Sequence, residues 1–430
     1  MLIAILAAGC ILCMRRRKAR LLEDRELEME LLGVFLLGSK PRRFTWDEVR
    51  RCTCGFSDPL GSGGFGNVFR GAMADGTPVA VKQLIDGRQQ GSKEFMAEVS
   101  ILGRTHHLHL VRLIGFCLEG AGHKLLVYEY MENGSLDAWI FSKKPGSHVA
   151  EPEEQNSIEK EHSKLTPQIL RWEQRFNIAL GTAKGLAYLH EECEDRVIHM
   201  DLKPQNILLG ANFFPKIADF GMSRRVARGP DQESAVMTLM RGTPGYLAPE
   251  WLTDGAVTEK CDVYSFGIML LEIVSGKRVL DWRALRQRLG RSSSTREGVM
   301  QLVDERLMDV HGASAKALYD EQQAMRMVEV AMLCLVRDPR RRPSMTSVVQ
   351  MLEGNVEVIP HAPIDDYMQD LGLLPSSMSK NYMRMKHDGG VEAELWEHGD
   401  DESGSNPYSS WRSGSFTSSS KMMMMMMMMG

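Results

Sequence analysis

The 430-residue chain lacks an excess of basic charge. Its 52 lysines and arginines stand against 56 aspartates and glutamates, which gives a formal net charge of −4. Since binding to nucleic acid usually needs a positive field that attracts phosphates, nucleic acid is not expected as a partner. Cysteine is scarce too. Eight cysteines are too few for a disulfide scaffold in a chain of this length, and we interpret most of them as buried thiols in a reducing compartment.

Long hydrophobic runs are missing as well, apart from an apolar stretch at residues 1–14. As a helix this stretch would rise about 21 Å, whereas the hydrocarbon core of a bilayer is about 30 Å thick. Five basic residues follow between Arg15 and Arg20. Basic residues after an apolar stretch are typical of a membrane segment whose C-terminal side stays cytoplasmic. We predict a short or truncated transmembrane segment, with a helix docked on the protein as the alternative.

The rest of the chain divides by composition. Between residues 54 and 354, short β-type runs come first and longer helical patterns follow, which predicts an α+β body with a strand-rich first part. A charged juxtamembrane region at residues 15–53 precedes this body. A tail rich in acids, serine and methionine follows at residues 355–430, and we expect it to lack a packed core. Residues 142–167 predict a polar surface insertion between two helices. Helices are predicted at residues 137–141, 174–190 and 263–274.

A glycine-rich motif of the form GxGxxGxV opens the body. Its members are Leu60, Gly61, Ser62, Gly63, Gly64, Phe65, Gly66 and Val68. Without a Cβ atom, glycine lets backbone N–H groups approach phosphate oxygens closely. A dinucleotide-binding fold would need a helix directly after the glycines, whereas a β-type run follows here. We favour a β-hairpin that covers phosphates, with a glycine-rich turn of no such role as the alternative.

The next motif is VAVK, which ends at Lys82. Strand alternation points Lys82 to the same side as Ala80. An ammonium group in this position can meet the α and β phosphates of a nucleotide if a carboxylate holds it. Glu98, in the helical stretch SKEFMAEVSILG, is the candidate for that carboxylate. A solvated surface charge is the alternative for each of the two residues.

Two further motifs carry the polar groups of a phosphoryl-transfer site. They are VIHMDLKPQN, which ends at Asn206, and the DFG sequence that begins at Asp219. Between them lie two apolar runs and a turn, so one hairpin can bring both motifs together. Asp201 would accept the proton of a substrate hydroxyl, and Lys203 would neutralise the transferred phosphoryl group. Asn206 and Asp219 would hold Mg²⁺. A loop without chemistry is the alternative for each motif taken alone.

With GTPGYLAPE at residues 242–250 as a last landmark, these motifs resemble those of eukaryotic protein kinases over residues 54–354. The phrases EFMAEVSILGRTHHLHLVRLIGFC, LLVYEYMENGSLDAWIF and RGTPGYLAPEW resemble plant receptor-like serine/threonine kinases, most closely those of the S-domain (G-type lectin) class. The resemblance implies a bilobal fold. A small N-lobe with an antiparallel sheet and one helix would precede a larger helical C-lobe.

The resemblance also implies an ATP site. The backbone of Glu129 and Met131 would hold the adenine, directly after a gatekeeper residue at Tyr128. The side chains around the ring would be Leu60, Val68, Ala80 and Leu208.

Further implied roles are structural or concern the substrate. Glu250 would pair with Arg342, and Asp262 would brace the catalytic loop. Thr243 would lie in the loop that meets the substrate hydroxyl.

These features together predict an ATP-dependent serine/threonine protein kinase at the cytoplasmic face of a membrane, the plasma membrane by this interpretation. Mg²⁺, or Mn²⁺ in its place, would be the metal, and protein substrates and receptor or co-receptor partners are expected. The alternative is a pseudokinase that acts as a binding or scaffold module. A pseudokinase has usually lost Lys82, Asp201 or Asp219, and none is lost here. A P-loop ATPase is excluded because no GxxxxGKS/T motif occurs.

One position departs from the usual pattern. Met200 precedes Asp201 where many kinases carry an arginine that a phosphate on the activation segment neutralises. Ser234 and Thr238 are the candidate phosphorylation sites of that segment. We predict that basal activity does not depend on their phosphorylation. The alternative is that Met200 only fills space and that other arginines take the phosphate.

Overall fold

The computed structural model describes the body of the chain in several stretches. These are residues 41–63, 66–84, 89–119, 123–141, 169–228, 236–237, 242–254, 256–278, 302–309, 316–317 and 319–359. All of them belong to the first of the two units into which the chain divides, Met1–Leu374. The predictions for residues 1–14, the insertion at 142–167 and the tail from residue 360 lie outside the described residues. So do Gly64, Phe65, Ser234 and Thr238.

A six-stranded sheet forms the N-terminal part. Its strands are β1 (Arg42–Arg43), β2 (Pro59–Gly63), β3 (Gly66–Ala72), β4 (Pro78–Leu84), β5 (Leu113–Glu119) and β6 (His123–Glu129). The spatial order is β1-β5-β6-β4-β3-β2, and only the pair of β1 with β5 is parallel. Two helices accompany the sheet, α1 (Trp46–Cys52) and α2 (Gln89–Leu102).

Strand β4 illustrates why this sheet positions a site. Val79 and Val81 are fully buried on the outer face, in a cluster with residues of β5 and β6. The alternating residues Ala80 and Lys82 point to the opposite face, as the period of two predicts. The sheet therefore presents a packed apolar face on one side and a functional face on the other.

Helices dominate the C-terminal part. They are α3 (Leu136–Ile140), α4 (Trp172–Ala187), α5 (Pro249–Asp254), α6 (Lys260–Ser275), α7 (Glu321–Cys334) and α8 (Met345–Glu353). Short strands pair as β7 (Arg196–Ile198) with β10 (Arg224–Val226), β8 (Ile207–Leu209) with β9 (Pro215–Ile217), β11 (Val236–Met237) with β12 (Ala256–Val257), and β13 (Met308–Asp309) with β14 (Lys316–Ala317). A sheet-rich N-lobe followed by a helical C-lobe confirms the predicted α+β, bilobal fold.

The three predicted helices are present with shifted ends. Helix α4 begins two residues before the predicted start at residue 174, and a π-helical turn, Tyr188–Glu192, follows directly after its end. Helix α6 is buried along nearly its whole length, as its apolar sequence predicts, and Gly276 ends it in the left-handed conformation with φ of 64°. None of the helices in the described part of the chain combines the length and apolar character that a membrane crossing needs.

The six cysteines within the described stretches are free thiols. Cys117, Cys261 and Cys334 are buried, whereas Cys54 is exposed and the other two are partly accessible. The expectation that most cysteines are buried is therefore met by only half of these six. The accessible ones lie at helix ends and turns, where a small side chain is not forced into the core.

Candidate active site

A cleft of about 580 Å³ runs between the sheet and the helical part. The strands β2, β3 and β4 form one wall, and β8 with the segment before β10 forms the other. Of the predicted nucleotide-binding residues, those that line it are Leu60, Gly61, Ser62, Gly63, Gly66, Val68, Ala80, Lys82, Glu129, Met131 and Leu208. These predicted residues therefore lie along one cleft, whereas the tip of the glycine-rich turn lies outside the described residues.

Gly66 shows why the loop needs glycine at its C-terminal end. Its φ is 143°, and a Cβ atom there would collide with the carbonyl oxygen of Gln83 on β4. Gly63 and Gly66 face each other in the register of β2 with β3. The predicted β-hairpin over the cleft is therefore present, and a side chain at residue 66 would separate β3 from β4.

Lys82 lies at the centre of the cleft between two carboxylates. Its Nζ atom donates to Oε1 of Glu98 at 2.5 Å and to Oδ1 of Asp219 at 2.8 Å. Burial disfavours the charge of Lys82, but the two carboxylates outweigh it, so the pKa of Lys82 lies above its ordinary value. Burial raises the pKa of Asp219, but the charge and hydrogen bond of Lys82, together with the nearby His199 and Lys203, outweigh burial, so the pKa lies below its ordinary value and this carboxyl group stays ionised. The predicted partnership of Lys82 with Glu98 is present.

Tyr128 adds a contact that sequence reasoning missed. Its hydroxyl group donates to Oε2 of Glu98, so both oxygens of that fully buried carboxylate have a partner. Burial raises the pKa of Glu98, while Lys82 and the Tyr128 hydroxyl act in the opposite direction. The signal for this contact was a tyrosine, rather than an apolar residue, at the buried end of β6.

The predicted catalytic residues form a second cluster at the edge of the helical part. One oxygen of Asp201, Oδ2, accepts from Nζ of Lys203 at 2.6 Å, and the other, Oδ1, accepts from the hydroxyl of Thr243 at 2.7 Å. Lys203 also donates to Oγ1 of Thr243 at 2.8 Å. A base candidate, a cation and the predicted substrate loop therefore meet in one hydrogen-bonded group.

Asn206 and Asp219 provide oxygen atoms suited to a hard divalent cation. The amide nitrogen of Asn206 donates to the main-chain oxygen of Asp201 at 2.8 Å, which leaves its amide oxygen for a cation. The antiparallel pair of β8 with β9 separates the two residues along the chain and brings both to the cleft, as the predicted hairpin required. A carboxylate and an amide oxygen are ligands that Mg²⁺ accepts together with water and phosphate. The donor set fits such an ion.

Two further carboxylates, the buried Asp262 and the partly buried Glu250, support this arrangement. Asp262 of α6 accepts from the main-chain nitrogens of His199 and Met200 at 2.7 and 2.8 Å. Glu250 accepts two hydrogen bonds from Arg342, at 2.6 and 2.8 Å. Both contacts are those that the resemblance implied. The first holds the loop directly before Asp201, and the second joins the segment after Thr243 to the helical part.

Comparison with known proteins agrees with this geometry. The family model for protein tyrosine and serine/threonine kinases matches residues 55–352, more than two thirds of the chain. The G-type lectin S-receptor-like serine/threonine-protein kinase SD2-5 of Arabidopsis thaliana is 43% identical over 83% of this chain and 40% of its own length. Another G-type lectin S-receptor-like serine/threonine-protein kinase of Arabidopsis thaliana is 45% identical over 74% of this chain and 35% of its own length. A probable receptor-like protein kinase, also of Arabidopsis thaliana, is 37% identical over 85% of this chain and 80% of its own length.

The chain thus spans less than half the length of the lectin-type relatives, but most of the length of the last one. Because residues 55–352 match the family model and fold around the cleft described above, the chain belongs to the protein tyrosine and serine/threonine kinase family, among the receptor-like protein kinases.

Proposed function

We propose that the protein transfers the γ-phosphate of ATP to serine and threonine hydroxyl groups of protein substrates. The observation that carries the proposal is the contact of Asp201 with both Lys203 and Thr243 at 2.6 and 2.7 Å. A lysine two residues after the base is what serine/threonine kinases usually carry. The family, with its general use of ATP, a divalent metal ion and protein substrates, supports the same conclusion.

In the proposed reaction, the substrate hydroxyl approaches Oδ1 of Asp201, where the Thr243 hydroxyl now donates. Asp201 accepts the hydroxyl proton while the substrate oxygen forms a bond to the γ-phosphorus, and the bond from that phosphorus to the β,γ-bridging oxygen breaks. The electron pair of the broken bond leaves with ADP. Lys203 lies 2.6 Å from Oδ2 of Asp201, so its positive charge is next to the point of transfer and stabilises the negative charge on the transferred group.

The nucleotide would occupy the cleft with its adenine between the β2–β4 wall and Leu208. The backbone of Glu129 and Met131 would hold the adenine edge, and Lys82 would meet the α and β phosphates. Asn206 and Asp219 would hold Mg²⁺, or Mn²⁺ in its place. When bound, this ion would neutralise part of the negative charge of the phosphates.

The location that we propose is the plasma membrane, with residues 1–14 and their basic flank as the anchor and the kinase in the cytoplasm. Basic residues close to an anionic leaflet add about 1 kcal/mol each to membrane binding. The names of the relatives support a receptor-like context, and receptor or co-receptor partners are proposed with it. A fluorescent fusion of the full chain should label the cell periphery, and deletion of residues 1–20 should release it. Unchanged labelling after the deletion would place the anchor elsewhere.

The activity is tested by transfer of radiolabel from γ-labelled ATP to a generic serine/threonine substrate, with Mg²⁺ and with chelator. We expect transfer that needs the metal and that falls by at least about 10³-fold in Asp201→Asn, since this change removes the proton acceptor but keeps the side-chain shape. Phosphoamino-acid analysis of the product separates serine and threonine from tyrosine. Nucleotide binding without any transfer would favour the pseudokinase alternative.

A further inference from the structure

We propose that residues 41–56, named here the N-terminal cap, position the nucleotide-binding strands from the outer face of the sheet. All but the last two of these residues precede the range that the kinase family model matches, 55–352. From the sequence, residues up to 53 are assigned to a juxtamembrane region outside the body. The inference rests on the proposed function, since it concerns the affinity of the cleft for ATP.

The first attachment of the cap is its strand. β1 pairs with β5 in parallel, with Arg42 opposite Gly115, and the main-chain nitrogen of Phe44 donates to the oxygen of Phe116 at 2.8 Å. The Phe44 ring is 4% exposed and belongs to the outer-face cluster. A Cβ atom at Gly115 would collide with the main chain of Arg42, so glycine at this position is what lets the cap approach the sheet.

The second attachment is helix α1, which has its own start signal. The Thr45 hydroxyl accepts from the main-chain nitrogen of Glu48, and the Thr45 main-chain nitrogen donates to the Glu48 carboxylate, so the two form a capping box. The main-chain nitrogen of Trp46 donates to the carboxylate of Glu119 on β5 at 2.9 Å. The Trp46 ring stacks on His123 of β6 with 3.8 Å between ring centroids. The helix is therefore tied to two strands by polar as well as apolar contacts.

The third attachment reaches the strand that follows the glycine-rich turn. Cys54, Gly55 and Phe56 all have positive φ, of 49°, 74° and 63°, and so reverse the chain after α1. This reversal places the Phe56 ring 5.2 Å from Trp46 and, edge to face, 5.2 Å from Phe69 of β3. Two L-residues in the left-handed region are unfavourable by themselves, so the aromatic contacts must help to hold the turn.

The cap and the nucleotide site therefore share strands. On β3, Val68 lines the cleft while the next residue, Phe69, contacts the cap. On β4, Lys82 lines the cleft while its neighbour Val81 lies in the cluster that Phe44 and Val49 of the cap complete. Because alternate residues of one strand face opposite sides, a shift of the cap changes the twist and position of the strands that cover the phosphates. The cap is also the connection from residues 1–40 to these strands.

The proposal predicts that loosening the cap weakens nucleotide binding without changing the chemical step. In the full-length protein, Phe56→Ala should raise the Kd of a fluorescent ATP analogue about tenfold and raise KM for ATP in parallel, because the strands are no longer preorganised. The same change should leave kcat within about twofold, since no group that contacts the reacting atoms is altered. Trp46→Ala should act in the same direction.

Matched variants separate positioning from general stability. Phe56→Tyr keeps the ring and should restore wild-type affinity. Arg50→Ala, an exposed position on α1, should change neither Kd nor melting temperature. If Phe56→Ala fails to fold, Phe56→Leu provides a smaller perturbation. Its Kd should lie between the wild-type value and a value ten times higher.

A wild-type Kd in folded Phe56→Ala, Phe56→Leu and Trp46→Ala would overturn the proposal, even if their melting temperatures fall. Loss of kcat at unchanged Kd would also overturn it. Binding of the analogue is measured without phosphoryl transfer. A chain that binds nucleotide but transfers no phosphate would therefore contradict the proposed function and leave the role of the cap to be decided by the Kd values.

Discussion

The Tyr128 hydroxyl donates to Oε2 of Glu98, the carboxylate whose other oxygen accepts from Lys82 at 2.5 Å. Burial and the Glu98 charge raise the pKa of Tyr128, so its hydroxyl group stays protonated and remains a donor. The gatekeeper position is thereby part of the ion-pair network that holds helix α2 against the cleft. Glu98 itself is fully buried, and its ionisation depends on these two partners.

A pH dependence follows from this relationship. Burial raises the pKa of Glu98, so as pH falls Glu98 is protonated before Asp219, whose pKa is lowered by Lys82. Protonated Glu98 no longer holds Lys82, and activity falls. Tyr128→Phe removes a hydrogen bond that lowers the pKa of Glu98, so the acid limb of the kcat/KM profile should move to higher pH. The free energy of unfolding should fall by about 2 kcal/mol.

The control for this prediction is Tyr130→Phe, which removes a hydroxyl group from a cleft residue that has no contact with Glu98 and keeps the ring that stacks with Arg70. Its profile should coincide with that of the wild type. An acid limb that stays in place in Tyr128→Phe would show that Glu98 does not govern it.

Removal of the Lys82 charge should abolish phosphoryl transfer, and so should Asp219→Asn, because both groups are proposed to hold phosphate or metal. From sequence alone we expect both variants to keep the fold. The structure changes this expectation for Lys82→Met, since it leaves Glu98 charged and buried without its cation. This variant should lose about 3 kcal/mol of unfolding free energy.

The double variant Lys82→Met, Glu98→Gln tests that distinction. It should regain much of the lost stability in urea unfolding but none of the lost transfer, because the fully buried carboxylate of Glu98 is replaced by a neutral amide. Near wild-type turnover in either single variant would contradict its assigned role.

The residues of the cleft could be predicted because its motifs are rare combinations of residue types that occur in a fixed order along the chain. Asp201, Asn206 and Asp219 come together through the hairpin of β8 with β9, whose apolar runs and turn are visible in the sequence. A local pattern of this kind also predicts which residues lie close together in the fold, since a short hairpin permits few arrangements.

The docking of residues 41–53 could not be predicted in the same way. β1 has two residues, and its parallel partner β5 is far along the chain, so no local period indicates the pairing. The capping box of Thr45 with Glu48 predicts a helix start, but not the surface that the helix covers. The contact of Tyr128 with Glu98 likewise depends on how β6 and α2 pack, which only the folded structure fixes.

Met200 lies in an apolar cluster beside the catalytic loop. The cluster contains Ile198, Met200, Met222, Val226, Ala248, Trp251, Val257 and Cys261. Packing within this cluster joins both described ends of the activation segment to the catalytic loop. An arginine in place of Met200 would instead need a phosphate on the segment to make that connection. Phosphatase-treated enzyme and the Ser234→Ala, Thr238→Ala variant should therefore keep activity within about tenfold of the untreated wild type. A fall of about a hundredfold in both, about 2.7 kcal/mol in the barrier, would contradict this expectation.

The ion pair of Glu250 with Arg342 should be worth far more to stability than the surface pair of Arg340 with Asp338 next to it. The Arg342 side chain is fully buried and donates to both oxygens of Glu250, at 2.6 and 2.8 Å, whereas the Arg340 side chain is 86% exposed. Glu250→Gln leaves a buried guanidinium without its counter-charge, so the free energy of unfolding should fall by about 3–5 kcal/mol.

The control is Arg340→Gln, which should change the free energy of unfolding by less than about 1 kcal/mol, because water screens an exposed pair. Urea unfolding followed by fluorescence measures both. Equal, small losses in the two variants would show that the buried pair does not anchor the segment after Thr243 to the helical part.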